Sequence, residues 1–292
     1  MKKENFERLS DPSLVKFTET ANRGMTSIML QRIAINYILK GSKQIYCGDR
    51  CTQICEGDVL LYDTGIHYEE NTAAERGTFE QLTFFVSPAM LQTMILGQHT
   101  YYGTNYSNSH SCERCQSQNF IVEHANYAVR EFFCSVNRSL ADNYLRHDAT
   151  NHRIKLGELL YMILSGDDCC LKAKILNNTD PTSHLFSAAV YTNIFNEISL
   201  ESLAASTNRS LTSFKKEFRR QFNTSPHKWF IDRRLDRSRM LLISTNKTIA
   251  EIGTECAFTN ISHFIKLFKQ RFHSTPAVFR QQHAATNKKQ PT

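Results

Sequence analysis

The chain has 292 residues, 41% of them hydrophobic and 22% charged, the balance of folded globular protein with room for two cores. No apolar run approaches the roughly 20 residues needed to span a bilayer, and the opening Met1-Lys-Lys-Glu-Asn-Phe has no apolar stretch behind its lysines, so a cytoplasmic location is expected. The net charge of +7 is uneven: residues 180–292 carry 17 Lys+Arg against 8 Asp+Glu, net +9, whereas residues 1–179 are net −2, so the last third is expected to meet a polyanion.

Residues 26–90 read as β-structure. Short apolar runs at Ile33–Leu39, Gln44–Cys47, Val59–Tyr62 and Phe79–Val86 are separated by turn pieces at Lys40-Gly-Ser, Gly48-Asp-Arg and Glu56-Gly-Asp. Strands punctuated this tightly predict a small barrel or double-sheet roll. From residue 98 to 119 the chain is rich in Tyr, Asn, Ser and Cys and is expected to be an irregular loop. Two amphipathic patterns follow, over 120–147 (Val129, Phe132, Phe133, Val136, Leu140) and 152–165 (Ile154, Leu156, Leu159, Leu160, Ile163). They predict helices whose stripes serve either a dimer interface or the domain's own core. Residues 1–170 are thus expected to form one domain. The polar segment 171–183, around Asn177-Asn-Thr-Asp-Pro, is expected to be a linker, and the tail 283–292 disordered.

Residues 184–282 contain a repeat. Phe214-Lys-Lys-Glu-Phe218-Arg-Arg-Gln-Phe222 and Phe264-Ile-Lys-Leu-Phe268-Lys-Gln-Arg-Phe272 each end in a hydroxyl residue and a proline, Pro226 and Pro276, at an offset of fifty. Four-residue spacing places the aromatics on one helical stripe and the cations on the other. Ser210 and Asn260 are suitable N-caps for these helices. Thr248 with Glu251 reads as a capping box for a short helix before the second. Ser199–Ala205 starts the matching short helix before the first. The pattern is helix-turn-helix twice over, joined by a helix spanning Trp229–Ser244, and the second helix of each pair is the one that enters a major groove.

On these residues the chain resembles AraC/XylS-type transcription regulators. The signature runs Ile249-x-Glu251-Ile252-Gly253-x4-Phe258-x3-Ser262-x-Phe264-x3-Phe268-Lys269-x6-Pro276-x2-Phe279-Arg280, with Arg234-Leu235 and Leu241-Leu242 on the linking helix. It covers about residues 185–282. Ala257, Asn223 and His273 stand where the family usually has glycine, so local strain is expected at Ala257 above all. The resemblance implies an α+β chain: an N-terminal cupin-like β-barrel with helices, used for sensing or self-association, and a C-terminal all-α double helix-turn-helix domain. It implies promoter DNA and RNA polymerase as partners, activation as the usual outcome, a possible homodimer, and a small-molecule or protein effector. The stretch from Ile38 through Glu56-Gly-Asp-Val-Leu-Leu-Tyr-Asp-Thr-Gly is similar to the start of the regulatory domain in ExsA-type regulators.

Carried over residue by residue, the resemblance places Thr212, Ser213, Lys215 and Lys216 on the reading face of the first recognition helix, and Ile261, Ser262, His263 and Lys266 on that of the second. Lysines donate to guanine edges or phosphates, and Ile261 suits a thymine methyl. Arg219, Arg220, Lys269, Arg271 and Arg280 lie further along and suit the phosphate backbone.

Nine cysteines are an odd count in a chain with no secretory signal, which favours reduced thiols. Cys47-x3-Cys51 and Cys112-x2-Cys115 resemble, in spacing only, the zinc-thiolate site of Ada-type alkylation-response regulators, which gives an alternative alkyl-accepting function. A second alternative is a regulator controlled by a protein partner at its first domain. His67 is the one histidine in the barrel region, against the paired histidines of cupin metalloenzymes. With no P-loop, Gly-x-Ser-x-Gly, His-Glu-x-x-His or dinucleotide fingerprint, neither an enzyme nor a cofactor is expected.

Overall fold

In the structure, a computed structural model, residues 10–287 are described apart from 23, 48–49, 76, 111, 113, 115–117, 143–147 and 180. The chain divides into two compact units whose main boundary falls between Ala188 and Ala189.

The first unit is built on two antiparallel sheets. One has the order β1-β8-β3-β6-β9 and the other β2-β7-β4-β5. Their strands are β1 Ser13–Glu19, β2 Thr26–Leu30, β3 Ile33–Lys40, β4 Ser42–Cys47, β5 Arg50–Ile54, β6 Asp58–Tyr62, β7 Gly65–Thr72, β8 Phe79–Val86 and β9 Phe120–His124. The arrangement is the cupin-like double sheet, with the barrel left unclosed. Two of these strands lie outside the expected 26–90. β1 pairs along β8 from Ser13↔Phe85 to Glu19↔Phe79, and β9 pairs with β6 from Asp58↔His124 to Tyr62↔Phe120. Residues 120–124 are therefore strand, not the start of a helix. Val122 and Glu123 sit in a ladder that closes the sheet edge, a long-range pairing that overrides the local helical spacing.

The five-stranded sheet is covered on both faces, so its strands read as nearly continuous apolar runs. Alternation sorts the side chains: Leu60, Tyr62, Ala34 and Ile38 face the other sheet with Ile45, Ile54 and Phe79, whereas Val59, Leu61, Ile33, Ile35 and Tyr37 face the helices. Those helices are α1 Pro88–Tyr102, α2 Tyr127–Ala141, α3 Ala149–Leu164 and α4 Cys170–Asn177. Both amphipathic stripes are spent inside this unit. Val129, Phe132, Phe133 and Val136 of α2 and Leu156, Leu159, Leu160 and Ile163 of α3 join one core with the sheet, and Phe133 stacks on Tyr37 at 4.5 Å. Ile154 stands apart from that stripe and is exposed.

The expected linker 171–183 is corrected by the structure. Its first half is α4, buried from Cys170 to Ile175, and its second half begins α5, Pro181–Thr192. The composition misleads because two of the polar residues bury their stems. Lys172 donates to the Gly166 carbonyl at 2.9 Å, and Lys174 reaches the Gln118 carbonyl at 2.8 Å and the Asp63 carboxylate at 2.7 Å. The expected disordered tail also changes: α11, Pro276–Asn287, runs through its first half, and 288–292 lie outside the described residues.

The second unit contains α6 Leu200–Ser206, α7 Leu211–Phe222, α8 Pro226–Ser244, α9 Ile249–Glu255 and α10 Ile261–Phe272, then α11. Phe214, Phe218, Phe264 and Phe268 are fully buried, each side chain contributing about 1.5–3 kcal/mol by leaving water. The repeat reaches into the following helices. Phe218 and Phe222 lie 4.5 Å apart and Phe268 and Phe272 4.6 Å apart. Trp229 meets Phe218 edge-on at 5.7 Å, and Phe279, fifty residues later, meets Phe268 edge-on at 5.6 Å. Both α8 and α11 start on a proline, which fits a first turn whose N–H groups need no helical partner.

Candidate nucleic-acid interface

The second helix of each pair, α7 and α10, starts on a side-chain cap. Ser210 accepts from the Ser213 amide at 3.3 Å, and Asn260 accepts from the His263 amide at 2.9 Å. The helix before the second carries the expected reciprocal box: the Glu251 amide donates to Thr248 at 3.2 Å, and the Thr248 amide donates to Glu251 at 2.7 Å. Both reading helices end in left-handed backbone, at Asn223 (φ 51°) and His273 (φ 58°), whose amides close on the carbonyls of Arg219 and Lys269. The turns between helices also pass through left-handed residues, Asn208 (φ 54°) in the first pair and Ala257 (φ 58°) in the second.

Buried phenylalanines turn the opposite face of each helix to solvent. Thr212, Ser213, Lys215, Lys216 and Arg219 are exposed on α7; Ser262, His263, Lys266 and Lys269 are exposed on α10. Within these sets one motif occurs twice at the repeat offset: a hydroxyl residue, a lysine four positions on and a cation three beyond that. It is Thr212, Lys216 and Arg219 on the first helix and Ser262, Lys266 and Lys269 on the second. Positions i, i+4 and i+7 make one stripe about 10 Å long. Such a stripe can place a hydroxyl and two cations along a groove.

Four sequence-assigned residues are used differently. Ile261 is half-buried, and its Cδ1 lies where a Cβ on Gly253 would come within 2.6 Å. It packs against Gly253, a position that needs a glycine. Arg271 pairs with Asp232 at 2.9 Å and with the buried Asp236 at 3.0 Å, which ties α10 to α8. Arg280 donates to the carbonyls of Leu242, in the last turn of α8, and Lys247, beyond its end, at 3.3 and 2.6 Å. Arg220 is exposed but pairs with Glu217 at 2.6 Å on its own helix.

One positioning residue carried no functional reading in the sequence. Arg234, on α8, donates to the carbonyls of Ile194 at 2.8 Å, Asn196 at 3.1 Å and Ala257 at 2.9 Å. A single guanidinium therefore holds the left-handed turn residue and the segment ahead of α6. Burial pushes its pKa down, yet an arginine keeps its proton. Arg237 and Lys247 meet on Glu255 at the end of α9, the former at 3.0 Å. Cation-rich sequence is thus partly structural, and the two stripes are what remain outward.

In the first unit, the space between the sheets holds charge that is internally matched. Lys43 pairs with Glu69 at 2.8 Å, and the Tyr62 hydroxyl donates to the same carboxylate at 2.7 Å. Burial pushes the Glu69 carboxyl up, but Lys43 and Tyr62 more than offset it, so Glu69 sits below its ordinary value. His67 donates from Nε2 to the Asp63 carbonyl at 2.8 Å and is held neutral, its pKa pushed down to about 4 chiefly by burial. The two cysteine pairs suggested as one zinc site do not converge among the described residues: Cys47 packs between the sheets, Cys112 packs on the helical side, Cys51 is exposed, and Cys115 lies outside the described residues. No helix among the described residues is long and apolar enough to cross a membrane.

Comparison with known proteins agrees with both units. The family described as "Helix-turn-helix domain" matches residues 203–282, and "ExsA N-terminal regulatory domain" matches residues 33–169. The transcriptional activator NphR of a Rhodococcus species is 35% identical over 88 residues, covering 30% of this chain and 26% of NphR. The regulator ExsA of Pseudomonas aeruginosa is 31% identical over 86 residues, covering 30% of this chain and 31% of ExsA. The chain thus spans about a third or less of the length of these relatives. A crystal structure of apo ToxT from Vibrio cholerae superposes with a TM-score of 0.51 at 12% identity, covering 94% of this chain and 98% of ToxT, which is a likeness of fold.

Proposed function

We propose that this chain, which carries a helix-turn-helix domain of the AraC type and an ExsA-type N-terminal regulatory domain, is a sequence-specific regulator of transcription that binds promoter DNA through two adjacent major grooves. The observation that carries the reading is the duplicated stripe Thr212-Lys216-Arg219 and Ser262-Lys266-Lys269, exposed on two helices whose other faces are core. Thr212, Ser213, Lys215, Lys216, Ser262, His263 and Lys266 face base edges, and Arg219 and Lys269 hold phosphates. The relative NphR, described as a transcriptional activator, favours activation as the outcome. The matched Lys43–Glu69 pair and the apolar filling between the sheets favour control at the outer surface of the first unit, by a protein or a second copy, over a charged small molecule inside it.

Lys266→Ala is expected to weaken binding to a specific duplex, recovered by selection from a random-sequence pool, by about 1–3 kcal/mol, with relaxed preference at one position. Gel-shift titration of wild type and variant measures this. Unchanged affinity and preference would remove Lys266 from the base-reading set.

A further inference from the structure

The described residues bring one group of metal-ligating side chains together, and it is a set that neither cysteine spacing nor the DNA-binding reading uses: His110, Cys112 and Cys170. Two come from the loop after α1 and the third from the first residue of α4. The His110 Nε2 lies 3.2 Å from the Cys170 Sγ, the two sulfurs of Cys112 and Cys170 lie 3.6 Å apart, and all three ligand atoms fall within 4.8 Å of one another. A tetrahedral zinc with Zn–S of about 2.3 Å and Zn–N of about 2.0 Å sets its sulfurs about 3.8 Å apart and sulfur from nitrogen about 3.5 Å. The spacing therefore suits ligands around one ion. It does not suit a disulfide, whose sulfurs sit about 2.05 Å apart.

We propose that His110, Cys112 and Cys170 form a binding site for a thiophilic divalent cation, zinc foremost, that ties His110 and Cys112 to the start of α4. The donor set is the soft pair of thiolates with one imidazole that zinc takes. Binding releases one proton from each thiol to solvent, and the two thiolates neutralise the two positive charges of the ion. Cys170 is buried at the start of α4, while His110 and Cys112 are half-buried and give the ion a path in. The loop is held for this purpose by a separate contact: Asp168, two residues before Cys170, accepts from the Ser109 amide at 2.8 Å and from its hydroxyl at 2.5 Å. That fixes the residue next to His110. The Asn108 side chain also donates to the His110 carbonyl at 3.1 Å. Three protein ligands leave a fourth position for water or an added donor.

This site is independent of DNA binding and is tested on the full chain, untagged, kept reduced and stripped with a chelator. Zinc is titrated in against a chromophoric competitor, and cobalt(II) serves as the spectroscopic probe. One equivalent of zinc and a near-ultraviolet thiolate-to-cobalt band are expected for the wild type. Both should be lost in Cys112→Ser and in His110→Ala, a loop variant chosen because Cys170→Ser buries a new hydroxyl and could unfold the unit. Circular dichroism checks that each variant is folded, and Cys47→Ser/Cys51→Ser should keep both signals. Folded wild type that takes up no zinc overturns the proposal, as does zinc retained by Cys112→Ser and His110→Ala or lost by the Cys47/Cys51 variant. A Cys112–Cys170 disulfide that forms once the reductant is removed, in protein that takes up no metal while reduced, also overturns it.

Discussion

At the scale of the residue, two side chains carry unfavourable terms that can be measured. Ala257 sits at φ 58°, where a Cβ crowds the carbonyl, a cost of about 1–2 kcal/mol that Asn208, in the matching turn, bears more easily. Arg234 donates to the Ala257 carbonyl at 2.9 Å and is itself anchored on the carbonyls of Ile194 and Asn196, so the surrounding structure holds the conformation in place. Ala257→Gly should therefore raise stability by about 1 kcal/mol and leave DNA affinity unchanged, as read from urea unfolding and gel shift. A destabilised glycine variant would show that the turn is not strained. This position was legible in the sequence, because alanine stood where glycine is usual. Arg234's role was not, since three carbonyl partners from distant segments leave no local pattern.

His67 is the second such residue. Its folded pKa of about 4 lies below the ordinary 6.5, so between those values the unfolded chain binds a proton that the folded chain refuses. Stability must then fall as pH drops through 6.5 and level off near 4. The groups facing it are Asp63, Glu69, Lys43 and Tyr62, and the depressed Glu69 adds a further loss only below its ordinary 4.5. From pH 7 to 5 the His67 contribution is about 2 kcal/mol. His67→Gln should flatten that part of the urea-unfolding profile; an unchanged slope would mean that His67 titrates normally.

At the scale of the element, α8 acts as a strut whose polar contacts fix α10. Asp236 is 4% exposed and takes its closest partner from Arg271. Removing that partner leaves a buried carboxylate facing Arg233 at 3.7 Å. Arg271→Met is expected to cost about 3–5 kcal/mol, and Arg271→Met with Asp236→Leu to recover much of it. Equal losses in the single and double variants would place Arg271 elsewhere. Elements with strong local signals were readable: the phenylalanine stripes, the Ser210 and Asn260 caps and the Thr248–Glu251 box all follow from neighbours within four residues. β1, β9 and α4 were not, because the first two are defined by partners β8 and β6 and the third by lysine heads reaching distant carbonyls.

At the scale of the whole molecule, the charge asymmetry and the repeat pointed to the same function, but charge alone overstated the surface. Arg271, Arg280, Arg234 and Arg237 are bound within the second unit, so the outward cations are fewer and better ordered than the composition suggested. What remains is two copies of one stripe, presented by two copies of one scaffold. If both copies read DNA, the chain should protect two patches on one face of the duplex, centred about 10 base pairs, or roughly 34 Å, apart. Hydroxyl-radical footprinting on the selected duplex tests this directly, with Lys216→Ala and Lys266→Ala as paired variants. The account predicts two protected patches in phase, each weakened by one of the two variants. A single patch, or two patches that both variants weaken alike, would contradict it.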